Sequence, residues 1–295
     1  MTDLEEEIPD SLAPYISAKT GLASKIIITK PTGAVGPAWK RDRALNFADG
    51  EILAFIDDDA YPHKDWLRCA VKNFEDPEVA AVGGPAVTPG NDILKAKASG
   101  LVFSSLLVSG NYSYRYLVGK RQEVDDYPSC NFLVRKSVMR QIGGFNTKFW
   151  PGEDTIFCLD ITKKLKKKII YDPTVLVYHH RRQLFGPHLR QVSSYALHRG
   201  YFVKKFPETS LKISYFLPSI FVLGLALGPA VFFVPLIKQA YFFGLFLYLF
   251  LVFGYSFSKG LRLITLVFFG IILTHCTYGI FFLKGLISKR LSEEK

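Results

Sequence analysis

No acidic residue lies between Glu208 and Glu293 of this 295-residue chain. A soluble helical domain needs charge of both signs on its surface, and this interval lacks one of them. Three apolar stretches fill it instead, at about 213–237, 240–257 and 263–283. Each is close to the ~20 residues that cross a bilayer. Cysteine is scarce: Cys69, Cys130, Cys158 and Cys276 show neither metal-ligand spacing nor a paired framework. That argues against a zinc site or a disulfide scaffold and suits a reducing, cytosolic face. Residues 1–10 are acidic and lack an apolar core, which excludes a signal peptide there. There is no internal repeat, no low-complexity tract and no motif for DNA or RNA, so the formal charge of +11 is not read as a nucleic-acid signal.

The positive residues sit in particular places. Lys163, Lys164, Lys166, Lys167 and Lys168 form one run, read as a solvated helix end, and Arg181, Arg182, Arg190, His198, Arg199, Lys204, Lys205 and Lys212 lead into the first apolar stretch. A basic belt beside a membrane attracts anionic headgroups, so membrane lipids are expected partners. The organisation expected is a polar, cytosolic domain over 1–206, a membrane region over 207–287 and a polar tail over 288–295. Three crossings would export Lys284, Lys289 and Arg290; a first stretch broken by Pro218, Pro229 and Pro235 into a re-entrant segment would keep that tail inside. His275, inside the last stretch, is either a lipid-headgroup contact or a neutral histidine bonded to a neighbouring helix.

Within the polar domain, strands and helices alternate. Strands are expected at 25–29, 52–56, 79–82, 131–135 and 174–178, and helices at 37–48, 63–74, 137–142, 154–165 and 188–206. Pro37 suits a first helical turn, and Gly33 and Gly36 precede it, where amides face a phosphate or simply make a turn.

The chemistry concentrates at Ile52-Leu53-Ala54-Phe55-Ile56-Asp57-Asp58-Asp59, an apolar strand that ends in three carboxylates. Such a strand puts acids at the carboxyl edge of a sheet, where open α/β folds bind ligands. Adjacent carboxylates repel, and a hard divalent cation carrying the phosphates of a diphosphate offsets them. A short acidic turn before Pro62 is the bland alternative. Phosphotransferases that form an aspartyl phosphate rank second, because the Thr or Val that would continue their motif is absent after Asp59.

An ordered set of residues then resembles a known family. Gly36-Pro37-Ala38 with Arg41 and Ala44, the strand ending in Asp57-Asp58-Asp59, Asp65-Trp66-Leu67, Gly143-Gly144-Phe145, Gly152-Glu153-Asp154 and Tyr178-His179-His180 together resemble the family 2 glycosyltransferases over about 26–205. The resemblance implies an α/β, GT-A-like (Rossmann-like) mixed-sheet domain followed by carboxyl-terminal transmembrane helices. It implies an inverting transfer from a nucleotide-diphosphate sugar, with Mg²⁺ or Mn²⁺, to a lipid-linked or polysaccharide acceptor at the plasma membrane, in the company of other glycan-assembly proteins.

Roles follow residue by residue from the resemblance. Asp57 and Asp59 match the outer acids of the metal motif, with His179 as third ligand, while Arg41, Asp57, Asp58 and Gly36 face the nucleotide sugar. Asp42 stands where the family more often has Asn. Asp154, with Glu153, matches the catalytic base, although both acids equally suit the first turn of a helix. The His179-His180 pair also suits a diphosphate contact or a plain surface, and Arg41 a surface helix. Gln191, His198 and Arg199 fall where processive relatives carry Gln-x-x-Arg-Trp, and the missing tryptophan favours single-sugar addition. The family's domain normally starts with further strands, so an amino-terminally incomplete sequence is expected. The rivals are a metal-dependent lipid-phosphate phosphotransferase and a degenerate, non-catalytic glycosyltransferase acting as an assembly scaffold.

Overall fold

The computed structural model describes residue 27, residues 36–145 and residues 147–294. The strand expected at 25–29, apart from Ile27, and Gly33 lie outside the described residues. The described residues divide into two compact units, one holding those up to Val87, those of Tyr114–His179 and those from Ser292, the other Thr88–Ser113 and His180–Leu291.

In the first unit, helix α1 (Pro37–Leu45) begins with proline at its first turn, and strand β1 (Ile52–Ile56) follows. Strand β2 (Ala60–Pro62), helix α2 (Trp66–Lys72), strand β3 (Val79–Gly83) and strand β4 (Ala86–Val87) come next. The chain then enters the second unit with helices α3 (Leu94–Ser104) and α4 (Leu106–Ser109). Back in the first unit come β5 (Gln122–Val124), β6 (Asn131–Arg135), helix α5 (Lys136–Ile142), helix α6 (Glu153–Leu159), β7 (Lys168–Tyr171) and β8 (Val177–His179). Five strands form a mixed sheet in the order β1-β6-β3-β7-β5, with β3 and β7 parallel and the other pairs antiparallel. A second sheet, β2-β8-β4, pairs Ala60 with His179. The mixed α/β fold is therefore as expected, while strands β2, β4, β5 and β7 and helices α3 and α4 were not foreseen and several element ends differ. The helix expected at 154–165 is instead α6 followed by a π turn, Asp160–Lys164. The lysine run hid β7, because charge at Lys166, Lys167 and Lys168 masks the apolar pair Ile169 and Ile170 behind it.

One buried amide ties the two sheets together. Asn131 is fully buried; its Nδ2 donates to the carbonyls of Gly84 (2.6 Å) and Val175 (2.7 Å), and its Oδ1 accepts from Trp66 Nε1 at 2.8 Å. The approach requires glycine, since a Cβ on Gly84 would stand 1.8 Å from the Val175 carbonyl oxygen.

In the second unit, α3, α4 and α7 (Gly186–Lys205) accompany three helices long and apolar enough to cross a membrane. After the short helix α8 (Pro207–Ser210), these are α9 (Ile213–Leu227), α10 (Pro235–Phe257) and α11 (Leu261–Ile287). Helix α7, placed by sequence at the end of the polar domain, belongs to this unit and runs parallel along α11. His188 Nε2 meets Thr274 Oγ1 at 2.9 Å, and Lys204 Nζ donates to the Ser288 carbonyl at 2.6 Å. Burial lowers His188 to about 4, so the ring is neutral, and its Nδ1 pairs with Ser99 Oγ at 2.8 Å. His275 is used likewise: Nε2 donates to the Leu107 carbonyl and Nδ1 accepts from the Tyr248 hydroxyl, each at 2.9 Å.

Helix α9 runs the other way along α11. Phe216 stacks edge-on with Phe282 (4.9 Å), Ser219 Oγ donates to the Gly279 carbonyl (3.1 Å) and Phe221 lies 6.4 Å from His275. The carboxyl end of α11 is thus level with the start of α9. An epitope inserted after Leu211 and one fused at the carboxyl terminus are expected to be digested together in vesicles of one orientation. Digestion of the two in opposite orientations would contradict the helix directions.

Candidate active site

Strand β1 carries its backbone to the sheet edge and delivers Asp57, Asp58 and Asp59 there, while β8 ends at His179 opposite Ala60. That register sets His179 Nε2 2.8 Å from Asp59 Oδ1, with the His179 side chain 12% exposed. One ligand atom each from Asp57, Asp59 and His179 lies within 4.8 Å of the others. Two carboxylates and an imidazole form a donor set that suits Mn²⁺ or Mg²⁺. Asp58 is exposed, and the trio does not include it. His180 departs from its neighbour and pairs through Nδ1 with Asp92 Oδ1 at 2.5 Å.

Arg41 joins this group to a second pair of acids. Its guanidinium donates through Nη1 to Glu153 Oε1 at 2.9 Å and through Nη2 to Asp57 Oδ1 at 3.3 Å, and it lies 5.3 Å from the Phe145 ring centroid. Burial alone would lower the Arg41 pKa, but Glu153, Asp57 and Asp154 outweigh it and hold the guanidinium firmly charged. Burial raises Asp57, with Asp59 adding, against the pull of Arg41 and His179. The reading of Arg41 as a plain surface charge fails, since its side chain is only 13% exposed. Asp42 supports the same corner, because its Oδ1 accepts the Phe145 amide at 2.7 Å. A Cβ on Gly144, where φ is +82°, would stand 2.4 Å from that oxygen.

Helix α6 opens with Glu153 and Asp154 after Gly152, whose φ of +118° favours glycine. Glu153 is buried, while Asp154 is half-buried and keeps some exposure to solvent. Asp154 Oδ1 accepts the Thr155 amide at 2.8 Å and Oδ2 accepts the Ser129 amide at 3.3 Å. Burial, then the like charges of Glu153 and Asp126, raise its carboxyl to about 7 against Arg41 and the Thr155 amide. Asp154 thus lies in the first turn of the helix, where the Thr155 amide orients its carboxylate and the crowded acids raise its proton affinity.

Gly36 caps the start of α1 in an extended conformation. The other expected site residues lie on α7 in the second unit, each with a structural partner. Gln191 Nε2 donates to the Tyr195 hydroxyl (3.0 Å), His198 Nδ1 meets the Ser194 carbonyl (2.9 Å), and Arg199 lies 5.0 Å from the Tyr215 ring centroid. Sequence reasoning missed Asp126, Ser129 and Thr155. The pair Asp125-Asp126 just before an apolar strand is the signal that could have led there, an acidic couple in a basic chain.

A mixed α/β domain with an acidic sheet edge, a nearby imidazole and an arginine that reaches a helix-borne acid pair is consistent with the GT-A fold. Residues 8–143 match the model for Glycosyl transferase family 2, so this part of the chain is a family 2 glycosyltransferase domain, and three apolar helices lie carboxyl-terminal to it. Arg41, Asp57 to Asp59 and Asp126 fall inside the match; Glu153, Asp154 and His179 lie beyond it. The chain is 30% identical over 151 residues to the pre-mycofactocin glycosyltransferase of Mycobacterium tuberculosis, a match covering 50% of this chain and 31% of that protein. It is 24% identical over 152 residues to the glucosyl-dolichyl phosphate glucuronosyltransferase of Haloferax volcanii, covering 49% of this chain and 47% of that protein. The chain thus spans less than half the length of these curated relatives.

The raised carboxyl has a thermodynamic consequence. A group at about 7 when folded and near its ordinary 3.8 when unfolded favours the fold in its protonated form, and that stability is lost as pH rises between those values. Asp154→Asn is therefore expected to raise the unfolding temperature in detergent by a few degrees above about pH 7, with the gap closing towards about pH 4. A variant less stable than wild type at every pH would show that Asp154 is held ionised.

Proposed function

We propose that the protein transfers a sugar from a nucleoside-diphosphate donor to a lipid-linked or polysaccharide acceptor, with inversion and with Mg²⁺ or Mn²⁺. The observation that carries this reading is the continuous link from the Asp57, Asp59 and His179 donor set through Arg41 to Glu153 and Asp154. The donor set fits a hard or borderline divalent cation by its chemistry. When bound there, the ion would supply positive charge to the donor's phosphate oxygens.

The chain's own residues supply the rest. Asp154 accepts the proton of the acceptor hydroxyl as that oxygen bonds to the anomeric carbon, and the electron pair of the breaking C–O bond leaves with the nucleoside diphosphate. The Ser129 and Thr155 amides fix the direction of that carboxylate. Arg41 engages Glu153 through its 2.9 Å hydrogen bond, which leaves Asp154 as the acid placed to take the proton. The name of the Haloferax relative, a glucosyl-dolichyl phosphate glucuronosyltransferase, supports a lipid-phosphate-linked acceptor here. The basic residues of α7 favour a cytosolic face at the plasma membrane for the catalytic domain.

A panel of UDP-glucose, UDP-glucuronate, UDP-N-acetylglucosamine, GDP-mannose and TDP-rhamnose, offered to membranes containing the full chain, tests this reading through release of nucleoside diphosphate. Release that stops with EDTA and returns with Mn²⁺ or Mg²⁺ is expected. Asp59→Ala should lower it by a factor on the order of 10² or more, equivalent to the several kcal/mol a metal supplies. Metal-independent release in Asp59→Ala would remove the metal assignment. Failure to bind any donor would favour the scaffold, and a phosphorylated aspartate the phosphotransferase.

A further inference from the structure

The carboxylate of Asp126 lies behind the acid pair and takes part in no step of the proposed transfer. It is 5% exposed and accepts a hydrogen bond from Thr155 Oγ1 at 3.2 Å. Arg115 anchors it: Nη2 lies 3.7 Å from Asp126 Oδ2 and donates to the Asp126 backbone carbonyl at 2.5 Å. Thr155 is itself 2% exposed, and its amide is the one that binds Asp154 Oδ1. Both hydrogen-bond donors of a single buried threonine are thus engaged by acids, the hydroxyl by Asp126 and the amide by Asp154. A buried carboxylate without a charge partner is costly, and Arg115 offsets that cost.

We propose that Asp126, held by Arg115, is a positioning residue that fixes the Asp154 carboxylate through Thr155. The inference rests on the reading of Asp154 as the base. Asp126 clamps the side chain of the third residue of α6, and with it the first turn from which Asp154 projects. A carboxylate on a free helix end would sample several rotamers, whereas a clamped turn presents one. Electrostatics act in the same direction. The groups facing Asp154 are Glu153 beside it, Asp126 from the segment before β6, Arg41 from α1 and Cys158 one turn on. Asp126 raises the proton affinity of Asp154 while Arg41 lowers it. The pair thereby sets how strong a base Asp154 is as well as where it points.

Variants of the full chain separate the two contributions. Asp126→Asn keeps an oxygen for the Thr155 hydroxyl and removes only the charge. Thr155→Val removes the hydroxyl link, and Thr155→Ser restores it. With whichever nucleotide sugar of the panel is turned over, Thr155→Val is expected to lower kcat by about 10–10²-fold, the scale of a misplaced catalytic group, with the donor KM unchanged. Thr155→Ser should recover most of that loss. Asp126→Asn should move the acidic limb of the pH–rate profile to lower pH. Independently of turnover, the infrared C=O band of the protonated carboxyl lost in Asp154→Asn should titrate at lower pH in Asp126→Asn than in wild type.

An unmoved limb and an unmoved band in Asp126→Asn would overturn the proposal, as would equal loss of kcat, donor affinity and thermal stability in Thr155→Val without rescue by serine. If Thr155→Val does not fold, the Asp126→Asn band decides. Wild-type transfer by Asp154→Asn would instead sink the base assignment, while the infrared band would still report whether Asp126 governs that carboxyl.

Discussion

The first unit depends on one buried cation. Arg41 stands between Asp57, at the end of β1, and Glu153, which opens α6 112 residues further along the chain than Arg41 itself. Without its charge, both acids would face desolvation and mutual repulsion. Removing one member of a buried pair costs about 3–5 kcal/mol, because the other is left uncompensated. The same guanidinium rests against Phe145, whose ring stacks on Phe157 of α6 at 4.5 Å. Charge and packing therefore fix the distance between the proposed metal acids and the proposed base with the same few residues.

That arrangement rests on close backbone approaches elsewhere in the same unit. Asn131 satisfies the carbonyls of Gly84 and Val175 where the two sheets meet, and Tyr127 donates to the Gly84 carbonyl at 2.6 Å. Those carbonyls belong to turns that lack a ladder partner, and a buried unpaired carbonyl is expensive. Satisfying them with side chains lets the small sheet, which carries His179, sit in one register. The second unit uses the same closeness between helices. Gly200, Gly279 and Gly285 remove the Cβ atoms that would otherwise stand about 2 Å from facing carbonyl oxygens of neighbouring helices.

The parts legible in the sequence were those encoded by local pattern. The apolar strand before Asp57, the proline and glycine punctuation of α1, the three apolar helices and the ordered motifs each depend on neighbours within a few residues. Strands β2, β4 and β5 are two or three residues long, too short for alternation to register, and exist because a partner strand supplies their hydrogen bonds. Helix α3 is buried along most of one end and lacks a polar stripe, so periodicity could not announce it. The resemblance singled out His179 over His180, but how His179 reaches the acids was not legible, because it depends on the pairing of β8 with β2 that sets His179 opposite Ala60.

The sequence by itself pointed to the family, because the ordered motifs, from the three carboxylates closing an apolar strand to the Gly-Glu-Asp turn, are local, and local pattern needs no fold to be read. It also determined the membrane region, because an interval without acids and with about twenty apolar residues per segment has few other solutions. Only the tertiary structure decided that Arg41 bridges two acids, that Asp126 stands behind Thr155, and that α11 returns beside α9. Each of these is a contact between segments distant in sequence, and the burial, charge and direction that make it matter arise only when the chain has closed.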